Sequence, residues 1–303
     1  MYREEGKYTE AEPLFKQALA ILERALGPES PDLARVENNL GVLYQAEGRY
    51  AEALTLFQHS STIREKALGL EHPDVAESLN NLAELHRARG EYAEAEQLYQ
   101  RSLAIEEKAV GPKHPDLAII LNNLAALYQA EAKYSDAEAF YRRSLSIRQN
   151  GPSQQSPMVA TILNNLAEVC RAQDKYAEAD DFFNRALVIE EKAFGPNHPD
   201  VATMLNNLAL LKATEGKYND AESLFNRSRA IREKALGSEH PDMAKSVYET
   251  AELNSLKGKY GEAESFYQRA LSIREKALGP EHPDVASSLN GLAMLYHAQG
   301  KYA

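Results

Sequence analysis

Apolar and polar positions follow a helical period along the whole chain, and that pattern is itself repeated. Between Pro73 and Gly111, Val75, Leu79, Leu82, Ala83 and His86 fall at i, i+4, i+7, i+8 and i+11, one face of a 3.6-residue helix. Gly90 and Glu91 end it. A second helix is expected from about Tyr92 to Ala109, with Ala95, Leu98, Tyr99, Ser102, Leu103 and Ile105 inward and Gly111 as a left-handed stop. The same pair returns every 42 residues, marked by Tyr8, Tyr50, Tyr92, Tyr134, Tyr176, Tyr218, Tyr260 and Tyr302 and by Pro31, Pro73, Pro115, Pro157, Pro199, Pro241 and Pro283. A strict period of this size predicts a stack in which each unit touches only its neighbours. The expected fold is all-α, a solenoid of about seven repeats and 14 helices, with units starting near residues 32, 74, 116, 158, 200, 242 and 284. No alternating strand pattern occurs. Residues 1–303 read as one solenoid domain, and both ends fall partway through a repeat, as expected of a fragment of a longer array.

The connector reads G-P-x-H-P-D. Proline suits a first helical position, where its missing N–H costs nothing. That makes His72 an N-cap and puts Asp74 in the first turn, where its charge favours the helix dipole. Ser30 and Ser156 occupy the cap position in two repeats. The five histidines on this step, His72, His114, His198, His240 and His282, do not form a metal site, because one repeat advances the stack by about 8–10 Å and zinc ligands lie about 2.1 Å from the ion.

Composition narrows the function. The net charge is −11, with Lys and Arg interleaved with Glu, so nucleic acid and anionic membrane are poor partners. No apolar run approaches a membrane span of about 18 residues. Cys170 is the only cysteine, which excludes an internal disulfide and points to a reducing, cytoplasmic compartment. It stands on the step of Tyr44, Tyr128 and Tyr296, so a packed thiol is expected rather than a nucleophile. No G-x-S-x-G, P-loop or H-E-x-x-H occurs, and neither enzyme activity nor a cofactor is expected.

The Leu82–Ala83 pair, an aromatic three residues on in other repeats (Tyr44, Tyr128, Tyr296), glycine before the turn, Ala95 and Tyr99 together resemble a tetratricopeptide repeat. With its 42-residue unit and the runs LNNLA, GKYAEAE, ALxIREKALG and HPDVA, the chain is similar to the tetratricopeptide domain of kinesin light chain, including kinesin-light-chain-like arrays from bacteria. The resemblance implies a right-handed superhelix whose first helices line a concave groove that holds extended peptides.

On that face stand Asn38, Asn39, Asn80, Asn81, Asn122, Asn123, Asn164, Asn165, Asn206 and Asn207, continued by Asn290. Asparagine in mid-helix costs up to about 0.7 kcal/mol relative to alanine, so ten paired copies need a reason. A carboxamide offers donors and an acceptor and can grip a peptide backbone whatever its side chains are. An equally direct reading makes the ladder scaffold, bonding a neighbouring helix or connector. Gln45, Arg87, Gln129 and Arg171 lie one turn below the pairs and join the expected peptide-binding set. Two steps that vary are expected to set specificity: Arg35, Glu77, Ile119, Thr161, Thr203, Lys245 and Ser287, and Val42, Glu84, Ala126, Glu168, Leu210, Glu252 and Met294. Two repeats depart from the pattern: Tyr248 and Glu249 replace the asparagine pair, and Asn150 to Met158 rewrites a connector.

The function expected is a protein-interaction module that binds an extended segment of a protein partner. The alternatives are a structural spacer or self-assembling scaffold, and the sensor arm of a larger signalling protein. Apolar helix faces at the ends of the array predict end-to-end self-association.

Overall fold

The computed structural model describes residues 5–149 and 155–300, with side chains from Glu10 onward. Its described residues form helices and turns and contain no strand. The first helices of the repeats are α2 (Pro31–Ala46), α4 (Pro73–Ala88), α6 (Leu117–Ala130), α8 (Pro157–Ala172), α10 (Pro199–Thr214), α12 (Pro241–Leu256) and α14 (Pro283–Ala298). The second helices are α1 (Glu5–Leu26), α3 (Tyr50–Leu68), α5 (Tyr92–Val110), α7 (Tyr134–Gln149), α9 (Tyr176–Phe194), α11 (Tyr218–Leu236) and α13 (Tyr260–Leu278). The chain divides into two compact units, Met1–Gln154 and Gln155–Ala303. The division falls at the rewritten connector, whose residues 150–154 lie outside the described residues. Within each unit α2, α4, α6, α8, α10 and α12 pack on the second helices that follow them, and α2, α4, α6, α10, α12 and α14 on the second helices before them, the layering of a helix-pair solenoid. Successive first helices also touch: α2 with α4, α4 with α6, α8 with α10, and α12 with α14.

Alanine makes this packing close. Ala53, Ala95, Ala137, Ala179, Ala221 and Ala263 near the start of the second helices are fully buried, as are Ala83, Ala125, Ala167, Ala209 and Ala251 on the first helices. Gly41 takes the Ala83 step in its repeat; a Cβ there would stand 2.6 Å from the ring of the buried Phe57. Into each pair sinks one large side chain: Phe57, Tyr99, Tyr141 and Phe183 are fully buried, and Phe225 and Tyr267 nearly so. Truncating such a residue to alanine costs about 3–5 kcal/mol. A buried hydroxyl ties the pair further. Ser60, Ser102, Ser144 and Ser228 each donate, at 2.7 Å, to the carbonyl of an alanine 26 residues earlier. Cys170 is fully buried.

The connectors behave as caps. The Nδ1 atoms of His72, His198, His240 and His282 accept from the backbone N–H two residues on, at 3.1–3.3 Å, and Ser30 does the same with its hydroxyl. Three expectations need correction. Ser156 makes no such bond, and its buried hydroxyl lacks a partner. In the third connector His114 still accepts from Asp116, but the helix starts only at Leu117. The stopping glycines are not left-handed helical: Gly69, Gly111, Gly195, Gly237 and Gly279 have φ of 85–89° with ψ of 156–163°. That extended mirror region is essentially closed to residues with a Cβ. It reverses the chain so that the connector can reach the next first helix. The left-handed helical position is instead in the turn within each pair, where Gly90 is joined by Ala132 and Asp174 on the same step.

A further seam joins each second helix to the next first helix. Arg64, 2% exposed, donates to the Asp74 carbonyl and to Ser78 Oγ. Arg274 does likewise to Asp284 and Ser288, and Arg232 donates to Ser246. Where glutamate replaces the arginine, the serine is replaced too: Glu106 goes with Ile120 and Glu190 with Met204. Glu190 is 4% exposed and its Oε2 lacks a partner. Burial, and then the charge of Asp200, pushes its carboxyl above the usual carboxylate range.

Two outcomes follow. His72→Ala is expected to lower unfolding free energy by about 1 kcal/mol in urea melts, and His72→Ser to restore it. Glu190 binds its proton more tightly folded than unfolded, so its charged form costs stability above the carboxylate range and the cost vanishes below it. Glu190→Gln is therefore expected to raise stability at pH 7 by about 1 kcal/mol. The gain should disappear in melts recorded below about pH 4.

Candidate functional site

The outer stripe of the first helices is set by helical spacing. On α4, Glu77 and Ala88 are exposed, and Asn81 and Glu84 are half-buried between them. The specificity step of Arg35, Glu77, Ile119, Thr161, Thr203, Lys245 and Ser287 is exposed in every repeat, and Val42, Glu252 and Met294 are exposed on the other. Beside this stripe run the asparagines.

The asparagine pairs do not act as pairs within one helix. In three of the pairs the second member reaches the first member of the repeat before. Asn81 Nδ2 donates to Asn38 Oδ1 at 3.2 Å, Asn123 to Asn80 at 3.2 Å, and Asn207 to Asn164 at 2.8 Å. These rungs connect neighbouring first helices 43 residues apart. Contacts inside a pair are long: Asn80 to Asn81 at 3.5 Å and Asn164 to Asn165 at 3.4 Å. Asn38 also reaches Glu77 at 3.5 Å. Asn38 and Asn206 are each 1% exposed. Asn80, Asn81, Asn122, Asn123, Asn164, Asn165 and Asn207 are half-buried, and Asn39 and Asn290, in the outermost repeats, are exposed.

The two residues that break the sequence pattern belong to successive rungs. Glu249 stands where a second asparagine would, and the nearby Asn206 carboxamide partly offsets the rise that burial gives its carboxyl. Tyr248 stands where a first asparagine would. Its ring meets Tyr267 edge-on with centroids 5.2 Å apart, under the Arg274 guanidinium at 5.1 Å. Its rung partner, 43 residues on, is Gly291, where a Cβ would lie 2.7 Å from Tyr267 and 2.9 Å from Tyr248. The rung is thus occupied by Asn–Asn, Asn–Glu or Tyr–Gly. Sequence reading missed this because it compares residues 42 apart, and the partners are offset by one more.

The row below the asparagines is half-buried and tied down. Arg87 Nε donates to Glu84 Oε2 at 3.1 Å, and the Tyr99 hydroxyl donates to the same oxygen at 2.7 Å. Burial, followed by the Glu84 charge, pushes the Tyr99 hydroxyl well above its ordinary range. Arg171 donates to Glu168 at 2.7 Å, and Tyr141 donates to Gln129 at 3.0 Å. Gln45 occupies the same half-buried position on α2. The two arginines therefore present ion pairs rather than bare positive charge. One residue earlier on the helix, Tyr44, Tyr128 and Tyr296 donate at 2.8 Å to Glu12, Glu96 and Glu264 of the preceding second helix, and Lys212 reaches Asp180 at 2.6 Å. Burial and the Glu96 bond push the Tyr128 hydroxyl up to about 12. In the second unit the outer face opens into a cleft of about 570 Å³ between α10 and α12, lined by Arg171, Leu210, Tyr218, Glu249, Glu252 and Leu256 among others. No described helix is long and apolar enough to cross a membrane.

Comparison with known proteins accords with this architecture. A tetratricopeptide repeat family model matches residues 1–66, 32–108, 74–150, 158–234, 200–276 and 242–303. Sequence comparison with curated proteins yields no match. Among solved structures, the chain is similar to BtubC (BKLC) from P. vanneervenii, with a TM-score of 0.63 and 25% identity over 78% of this chain and 92% of that one. It is similar to a Podospora anserina kinesin-light-chain protein of nearly identical TPR-like repeats, with a TM-score of 0.59 and 26% identity over 68% and 98%. The Cut9–Hcn1 structure of the APC/C shares the fold, with a TM-score of 0.66 at 16% identity over 94% and 46%. Repeat spacing, helix layering and the family match agree: the chain belongs to the tetratricopeptide-repeat family, and kinesin-light-chain-like arrays are among its structural relatives.

Proposed function

We propose that the outer face of the first helices holds an extended segment of a partner protein, with the asparagine row gripping its backbone. Tetratricopeptide repeats generally mediate protein–protein interaction, and the observation that carries the finer reading is how little of each carboxamide the rungs consume. In the rung from Asn123 to Asn80, one N–H of the first and one acceptor site of the second are used. A carboxamide has two N–H donors and two acceptor lone pairs, so the half-buried Asn81, Asn123 and Asn207 retain capacity beyond the rungs. Each bond to a guest backbone contributes a net ~0.5–1.5 kcal/mol, and several in series support roughly micromolar affinity after ordering costs. The changing residues of the exposed stripe, Arg35, Glu77, Ile119, Thr161, Thr203 and Lys245, supply selectivity on this reading.

A peptide-library screen against the purified chain tests it. Peptides that the chain retains are expected to lose about tenfold or more in affinity when Asn81→Ala and Asn123→Ala are combined, from two to three lost backbone bonds. They are also expected to lose affinity with Ile119→Arg, which obstructs the exposed stripe without touching a rung. Unchanged affinity in both variants, with only a lower melting temperature in the first, makes the row scaffold alone and overturns the proposal.

A second reading has its own observation. Large apolar residues are exposed on the terminal helices: Leu14 and Ile21 on α1 at 66% and 58%, and Leu289 and Met294 on α14 at 51% and 62%. We infer that molecules meet end to end. Sedimentation velocity should show mass rising with concentration, and Leu289→Ser with Met294→Ser should abolish the rise. A constant monomer mass across the range would count against it.

A further inference from the structure

The cleft between α10 and α12 has walls and a floor of opposite character. Leu210, Tyr218 and Leu256 form apolar walls, and Leu256 is 60% exposed. Glu249 and Glu252 supply carboxylates. Glu249 is 7% exposed, and its Oε2 has no hydrogen-bond partner. The same helix pair holds two more buried acceptors without donors, Asn206 Oδ1 and Asn254 Oδ1. The surrounding cations are committed elsewhere. Arg171, on the lining, donates to Glu168 at 2.7 Å through a terminal nitrogen and leaves its buried Nε without a partner, but it forms no ion pair with Glu249 or Glu252. Arg274 donates to the Asp284 carbonyl and Ser288, and Arg232 to Ser246. Lys245 acts on Glu249 only through its field and is exposed. The Tyr248 hydroxyl, near Glu252, offsets part of the rise that burial gives its carboxyl. No described cation forms an ion pair with Glu249 or Glu252. Burial pushes both carboxyls upward.

A buried carboxylate oxygen without a donor is costly. What the cleft lacks is a donor with positive charge at the end of an apolar stem. An anion meets two carboxylates, and a purely apolar side chain leaves Glu249 Oε2 unpaired. A lysine or arginine side chain satisfies both parts, its methylenes against Leu210 and Leu256 and its N–H groups on Glu249 and Glu252. The net charge of −11 draws such a group in. We propose that this cleft receives a lysine or arginine side chain of the partner polypeptide. The proposal rests on the peptide-binding reading of the first-helix face and adds to it a basic residue at the register of the sixth repeat.

The test separates the two. The full chain is titrated with n-butylguanidinium and with n-butylammonium, and backbone amide shifts are mapped. Saturable shifts are expected around Leu210 and across residues 245–256, weakened about tenfold in Glu249→Gln with Glu252→Gln, as befits loss of charge-assisted bonds. The exposed Glu252→Gln change alone should weaken them partially, and n-butyrate should shift nothing there. Neither cation perturbing these residues, or equal affinity in the double variant, overturns the proposal. The second arm uses one extended peptide with lysine, arginine or norleucine at its centre. Wild type should prefer the two basic forms about tenfold and the double variant should not. Cation binding in the cleft without peptide binding anywhere defeats the reading of the face and leaves the cleft assignment standing.

Discussion

The close approach of helix to helix, made possible by buried alanines, or in one pair Gly41, where the two members meet, is the constraint on which the rest depends. Ala53 and its counterparts let the second helix lie against the first, and Ala83 and its counterparts leave room for the one large side chain that fills the gap. At that separation a serine hydroxyl reaches a backbone carbonyl across the pair, as from Ser102 to Ala76. A bulkier residue at any of these steps would force the helices apart and break both the apolar contact and the hydroxyl bond. The variation the chain tolerates is therefore confined to the seams and the outer face.

The seams vary by paired substitution. Arg64 comes with Ser78 and Arg274 with Ser288, whereas Glu190 comes with Met204. Among the rungs, the amide of Asn206 meets a carboxylate on Glu249 instead of another amide, and the ring of Tyr248 fills the space that Gly291 leaves. In these pairs one side changes with the other, but the pairing is not strict, since Arg148 keeps the arginine where Ile162 replaces the serine. Glu190 is left with a second oxygen that lacks a partner. The same is true of Glu249 at the floor of the cleft, and there an open, acid-lined surface lies above it.

Most of the fold was legible in the sequence, because its period is long, strict and marked by residues with fixed backbone roles. Histidine before Pro-Asp announced a cap, and the apolar face of α4 was correctly placed. Less was legible about the face. Asn80 and Asn81 look like partners because they are adjacent, yet adjacent residues on a helix point about 100° apart, and the short bond of Asn80 runs to Asn123. Arg87 and Arg171 were placed in the peptide-binding set and Glu84 and Glu168 on a separate step of the face, yet each arginine bonds the glutamate three residues before it. The glycines were recognised as positive-φ residues, but the accompanying ψ depends on where the following connector must go, which no single repeat specifies.

The offset of the rungs has a consequence for how such arrays exchange their parts. A cut at the repeat boundary separates Tyr248 from the glycine that makes space for it, and sets an aromatic ring against whatever residue the incoming copy carries. Duplication or shuffling of whole 42-residue blocks therefore reads cleanly only where both junctions carry the Asn–Asn match. The heritable cassette of this chain is the joint between two copies, and its atypical joints mark the places where the order of the copies is fixed.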